Sequence, residues 1–231
     1  MKKKKTSLAQ KINILRASVM GSNDGILSVA GIVIGVAGAT TDSFSIFISG
    51  IAGMIAGTVS MAMGEYVSVN TEKDSQRRAV MRQKNALKNN YDDEFNFVKN
   101  KYKSTGISEE LANKATKEMM NKDALVTTVR ERFGFNVSEF TSPYAAAIAS
   151  MISFPTGSIL PLLAITLLPS KIKIIATFIA VIIALAITGY VAAILSHANR
   201  GRSVARNVIS GMLTMIVTYL IGLLVGIISN G

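Results

Sequence analysis

The sequence predicts an all-α membrane protein: five transmembrane helices, with a small helical cytoplasmic domain between the second and third spans. Three observations carry that class. Of 231 residues, 49% are hydrophobic and 17% charged, with a mean hydropathy of +0.39, whereas a soluble domain is about a quarter charged. The charges are clumped, which leaves long segments almost free of them. Five of those segments approach the ~20 residues that a helix needs to cross ~30 Å of hydrocarbon.

The expected spans cover residues 14–39, 44–69, 143–168, 172–196 and 204–229. They divide the chain into an N-terminal tail with two spans (1–70), a polar helical domain (71–142) and the last three spans (143–231). Every one of the 25 basic residues except Lys171 and Lys173 lies before or at the opening of the first span, between the second and third, or between the fourth and fifth. By the positive-inside rule those regions are cytoplasmic, so the N-terminus faces the cytosol and the C-terminus faces outside. The same placement accounts for the net charge of +11 without any nucleic acid. Ala37-Gly38-Ala39 resembles a signal-peptide cleavage site, but that leader would be unusually long and would carry an aspartate.

The segment 71–142 is too long for a simple connection. Residues 72–88 are expected to continue the second span outward. A helix over 92–102 follows, with Phe95, Val98 and Tyr102 at helical spacing. Thr105-Gly106 breaks the chain, and Ser108 with Glu109 and Glu110 reads as an N-cap followed by acids in the first turn. Helices over 111–119 and 125–133 complete the domain.

Within the spans acids are scarce: Asp24 in the first and Glu65 in the second. At 1.5 Å per residue they lie ~22 Å and ~31 Å in from the outer end, both toward the cytoplasmic side. Met20 and Asp24 share one face of the first helix. Met54, Thr58, Met61 and Glu65 share one face of the second. Carboxylate oxygens offset a cation's lost hydration, and thioether sulfur favours transition metals over Mg²⁺ or Ca²⁺. Asp24, Met61, Glu65, Met54 and Met20 are therefore the candidate metal-binding residues. An aspartate inside a span costs ~2.5–3.5 kcal/mol on insertion scales, which makes it a functional candidate by default. Structural readings stand beside this: a methionine stripe that packs, a Glu65 that reaches water, and an Asp24 paired with Arg16 two turns away.

Other features narrow the function. Gly21-x3-Gly25, Gly31-x3-Gly35 and Gly53-x3-Gly57 favour close helix approach. Pro155-Thr156-Gly157 and Pro161 are expected to break the third span and free carbonyls. Without cysteine there is no disulfide or thiolate chemistry. His197, the single histidine, stands at the cytoplasmic end of the fourth span. No Ser/His/Asp arrangement, phosphate-binding loop or paired-carboxylate motif occurs, so the protein is not expected to be an enzyme and no cofactor is implied. Five helices are few to enclose a polar path, which points to a homodimer with the path at its interface.

The stretches NDGILSVAGIVIGVAGAT and AGMIAGTVSMAMGEYVSVNTEKD resemble the vacuolar iron transporter family, in its bacterial branch. The likeness continues through KYKSTGISEELANKATKEMMNKDAL, SPYAAAIASMISFPTGSILPLL and TGYVAA. The resemblance implies a five-span homodimer that exchanges protons for Fe²⁺, often Mn²⁺ too, and moves metal out of the cytosol. It implies that Asp24 and Met61 line the path, with Glu65 in the GEYVSV motif. The compact length and the absence of a targeting peptide point to a bacterial cytoplasmic membrane, and a vacuolar membrane has the same topology. Iron-transporting relatives carry further acids early in the first helix, where this chain has Asn13 and Ala17. In place of their methionine pair and glutamate in the cytoplasmic domain stand Thr128, Val129 and Arg132, with Glu118-Met119-Met120 as a possible substitute. The alternative class is a non-transporting membrane protein that binds metal or a partner through its cytoplasmic helical domain. Export of organic cations ranks last, because aromatics are 6% of the chain.

Overall fold

The computed structural model describes residues 8–137 and 141–230, so the lysines at 2–5 lie outside the described residues. Seven helices follow in order: α1 Leu8–Ala39, α2 Ser43–Asn89, α3 Tyr91–Ser104, α4 Glu109–Phe133, α5 Pro143–Leu167, α6 Lys173–Leu195 and α7 Arg200–Asn230. Five of them, α1, α2, α5, α6 and α7, are long and apolar enough to cross a membrane. The chain forms two compact units. One comprises Lys11–Val67 with Pro143–Gly231; the other comprises Ser68–Ser142 with the residues up to Gln10.

In the span unit α1 supplies much of the core. Its Ile26, Val29, Ala30, Val33 and Ile34 pack with Ile46 of α2, Phe154, Leu162 and Ile165 of α5, Val181 and Leu185 of α6, and Met215 of α7. Apolar attraction contributes little between helices already in lipid, so close van der Waals packing must hold them. Glycine provides it at two crossings. A Cβ at Gly157 would overlap the Ser22 carbonyl, and one at Gly25 the Phe154 carbonyl, so α1 and α5 meet backbone to backbone. Hydroxyls stitch the same crossing: Ser158 Oγ donates to the Gly25 carbonyl at 3.2 Å and Ser150 Oγ to that of Ala17 at 3.4 Å. On α7, Gly222 lies against the Gly35 carbonyl in the same way.

Helix α6 is apolar all round, so its pattern alone does not say which face turns inward. The small residues decide it. Thr177, Val181, Leu185, Gly189 and Ala193 form the buried stripe, and Ile175, Ile179, Ile183 and Ile187 are left facing outward.

The third span differs from expectation. Pro155 and Pro161 sit inside α5, yet α5 is one helix from Pro143 to Leu167. A proline removes one backbone donor, and membrane helices absorb that loss through hydroxyls and neighbouring helices. The carbonyls that lose a donor to Pro155 and Pro161 are those of Met151 and Gly157, and the remaining backbone bonds keep α5 continuous.

The other unit contains the outer part of α2, together with α3 and α4, which pack on each other. The second span and its expected extension are a single 47-residue helix. Gly106 (φ +93°) and Gly134 (φ +75°) end α3 and α4 in the left-handed region that glycine tolerates. Ser108 holds the cap position before α4 with extended backbone, but its side chain makes no capping bond. Asp123 (φ −165°, ψ 99°) divides α4 into two pieces near the expected gap, and its carboxylate accepts from the Val126 N–H at 2.9 Å to start the second piece.

The crossings yield a paired test by thermal unfolding in detergent. Gly157→Leu should destabilise by about 1–3 kcal/mol or prevent assembly, because backbone leaves no room to repack. Gly64→Ala, where an added Cβ meets nothing within 4 Å, should be neutral or stabilising.

Candidate functional site

Helices α1 and α2 border an open cavity of about 540 Å³ within the span unit. Its α1 wall is the four-residue ridge Met20, Asp24, Ser28 and Ile32. Its α2 wall is Gly53, Ala56, Gly57, Ser60, Met61, Gly64 and Glu65, and Phe154 of α5 closes the floor. The three α2 glycines and the two small residues beside them leave the volume open. At Gly57 a Cβ would overlap the Phe154 ring, so the missing side chain lets the ring in.

Four of the five residues singled out from the sequence line this one cavity: Met20, Asp24, Met61 and Glu65. Met54 is absent from the lining and packs against the hydrophobic core instead. Its carbonyl accepts from Thr58 Oγ1 at 2.7 Å. Met61 borders both the core and the cavity. His197 stands just past α6, exposed and with φ +53°, and lines a different hollow with Arg16 and Val19.

The two carboxylates have different partners. Asp24 Oδ1 accepts from Ser28 Oγ one turn on, at 2.8 Å, and among the described residues it has no cationic partner. Glu65, 6% exposed, is held by Arg16 Nη2 at 2.8 Å. Arg16 therefore pairs across helices with Glu65 rather than along α1 with Asp24. The same guanidinium donates to Asn13 Oδ1 at 3.1 Å and to Met20 Sδ at 3.4 Å. The sequence reading did not anticipate the roles of Ser28, Ser60 and Phe154. Ser28 was detectable in principle, lying one turn beyond Asp24 on the same ridge.

In the polar unit Asp74, Glu94, Glu109 and Glu131 have basic partners. Glu94, 6% exposed, accepts both Arg132 Nε (3.1 Å) and Nη2 (2.9 Å), together with Gln83 Nε2 at 2.7 Å. The Arg132 guanidinium also lies 3.9 Å from the Phe97 ring centre. Glu131 is engaged by Lys101 at 3.1 Å, Arg130 at 2.8 Å and the Tyr102 hydroxyl at 2.8 Å. Burial pushes the Glu131 carboxyl up, but hydrogen bonds from Tyr102, Lys101 and Arg130 outweigh it and hold it below the ordinary glutamate range. At Glu109 the Lys103 hydrogen bond lowers the carboxyl. Met119 Sδ receives weak donation from Arg130 at 3.5 Å. Among the described residues no three His, Cys, Asp or Glu side chains converge as a metal cage.

Five apolar spans and a cavity bearing carboxylates and thioethers between two of them define a multi-pass integral membrane protein with a cation-compatible interior. The profile of the VIT family matches residues 15–223, and the chain belongs to that family. It is 33% identical over 202 residues to the vacuolar iron transporter of Acanthamoeba castellanii, a match that covers 87% of this chain and 74% of the relative. Vacuolar iron transporter homolog 2 of Arabidopsis thaliana is 32% identical over 87% of this chain and 79% of its own. For vacuolar iron transporter homolog 5 of Oryza sativa subsp. japonica the values are 32%, 90% and 78%.

The Glu131 cluster has a pH consequence. Its folded pKa is depressed, so its stabilisation is present above the unfolded value, about 4.3, and is lost as pH falls through the lower folded value. Hydrogen exchange over 91–133 in the full chain, corrected for intrinsic rates, should show protection falling below about pH 4.5. Glu131→Gln should reduce protection at pH 7 and flatten that dependence.

Proposed function

We propose that this protein moves a divalent transition metal, Fe²⁺ or Mn²⁺, out of the cytosol in exchange for protons, along a path at a homodimer interface. The observation that carries the reading is Asp24: a carboxylate inside a span, lining a cavity with Met61, Met20 and Glu65, and lacking a cationic partner among the described residues. Such a group is costly unless a cation or proton visits it. The relatives' names supply the metal class.

The chemistry follows from the ligands. A carboxylate repays part of a divalent ion's lost hydration, and a neutral sulfur adds preference for transition metals without binding so tightly that the ion stays. Metal and proton compete for Asp24, so a proton arriving from outside displaces metal and the ion can leave. One chain brings only two carboxylates to the cavity, so a second copy, backbone carbonyls or water complete the shell. The paucity of acidic groups in one protomer supports the dimeric path, as does the largely exposed α2 face bearing Ile48, Ile55, Val59 and Met63.

The basic loops set the orientation: the N-terminus and the unit containing α3 and α4 face the cytosol, and the C-terminus faces outside. A bacterial cytoplasmic membrane fits that arrangement. Within the cytoplasmic unit Glu94 and Glu131 serve structure rather than metal capture, because they are already held by Arg132, Lys101 and Arg130.

Proteoliposomes with an imposed pH gradient test the reading, with Fe²⁺ and Mn²⁺ offered separately. Wild type should carry at least one of them in a gradient-dependent way. Asp24→Asn should lower the flux at least about tenfold, equivalent to 1.4 kcal/mol, and Met61→Ala should weaken it less. A folded dimer that carries neither metal would refute the transporter, and loss of function on deleting residues 73–140 with Asp24→Asn silent would favour the cytoplasmic binding module.

A further inference from the structure

Arg16 is the one cationic side chain that reaches the carboxylate end of the α1–α2 cavity, among the described residues. Its guanidinium bonds Glu65 Oε2 at 2.8 Å and Met20 Sδ at 3.4 Å, two of the atoms that a metal ion would use there, and Asn13 Oδ1 at 3.1 Å. We propose that Arg16 is a tethered cation that occupies the Glu65 end of the cavity when no metal is bound, and that a divalent ion must displace it. Arg16 thereby sets selectivity for divalent over monovalent cations. The inference rests on the transport reading above and deepens it.

The physical case has three parts. First, the Glu65 side chain is 7% exposed, so leaving it without a counter-charge is expensive; an uncompensated buried charge is among the larger penalties in proteins. Second, the Arg16 side chain is 45% exposed. Its head is therefore free to swing to water on a long apolar stem, while Glu65 stays in place. Third, arginine is permanently charged, and tethering gives it a local concentration on the order of millimolar or more. A monovalent ion would replace one positive charge by another and give up its hydration for no electrostatic gain. A divalent ion brings twice the charge and can also draw on Asp24, whose carboxylate is engaged only by Ser28 among the described residues. Arg16, Met20 and Asp24 follow at four-residue steps on one ridge of α1, so displacement at Glu65 and binding at Asp24 happen along a single line of side chains.

The absence of cysteine makes the test clean, because Arg16→Cys introduces the only thiol in the chain. The full-length protein in proteoliposomes is assayed for Mn²⁺ and Fe²⁺ binding and flux, with and without 100 mM-scale Na⁺ or K⁺. Wild type should resist the monovalent ions. Arg16→Cys should become inhibited by them, with half-maximal Mn²⁺ concentration lowered several-fold. Coupling an aminoethyl group to that thiol through a mixed disulfide restores a tethered cation and should restore resistance; an anionic sulfonatoethyl group should not. Arg16→Lys should behave as wild type if charge is what matters, and it serves where the cysteine variant fails to fold. Unchanged monovalent resistance in folded Arg16→Cys would overturn the tethered-cation role while leaving transport intact. Wild type that binds neither metal would overturn both readings.

Discussion

The closeness of α1 to its neighbours on one side is the constraint on which the span unit depends. Because α5 and α7 press against the α1 backbone at Gly25 and Gly35, that helix is fixed in depth and in rotation about its axis. Each residue advances the helix by ~100°, so a shift of one residue would carry the ridge Met20, Asp24, Ser28 and Ile32 away from α2. The glycine contacts at these two crossings thus fix where the Asp24 carboxylate stands. Helix α2 uses the same residue in two ways: Gly53 makes room for the Ile32 side chain of α1, whereas at Gly64 the missing side chain becomes space.

The two units treat their acids in opposite ways. In the unit containing α3 and α4, Glu94 and Glu131 are buried or partly buried and saturated by arginine, lysine, glutamine and tyrosine donors. Saturated carboxylates specify a packing arrangement; they offer a metal ion nothing unless a base is first removed. In the span cavity Asp24 keeps only a neutral hydroxyl, and Glu65 keeps a partner whose own side chain is half-exposed. Incomplete satisfaction of buried polar groups is costly for a merely structural site, which favours a functional account of the cavity.

The spans were legible because length and apolar content leave a membrane helix few alternatives, and the helical unit was legible because Thr105-Gly106 and the start at Ser108-Glu109-Glu110 punctuate it. The integrity of α5 was not, because whether Pro155 breaks a helix depends on hydroxyls and neighbours that local sequence does not reveal. Spacing put Met54, Thr58, Met61 and Glu65 on one face of α2, and the structure places the last two at the cavity while Met54 meets the core. A shared face fixes direction but not depth, and packing against the core changes along the helix. Arg16 was visible as a charge near Asp24. Its true partner, 49 residues away on another helix, belongs to tertiary structure. Which lining residues touch metal is a matter for the flux and selectivity experiments.

Charge accounting at the cavity connects the tethered arginine to exchange. With Arg16 on Glu65 and a proton on Asp24, the formal charge there is zero. With a divalent ion bound to both carboxylates and Arg16 released to water, it is again zero. The state with neither proton nor metal leaves one negative charge in a low-dielectric setting, where uncompensated charge is penalised far more than in water. On the proposed mechanism the two neutral states are the ones that persist, and passage between them requires proton and metal to trade places. On that mechanism, one free carboxylate and one carboxylate already claimed by a fixed positive charge favour the trade of proton for metal.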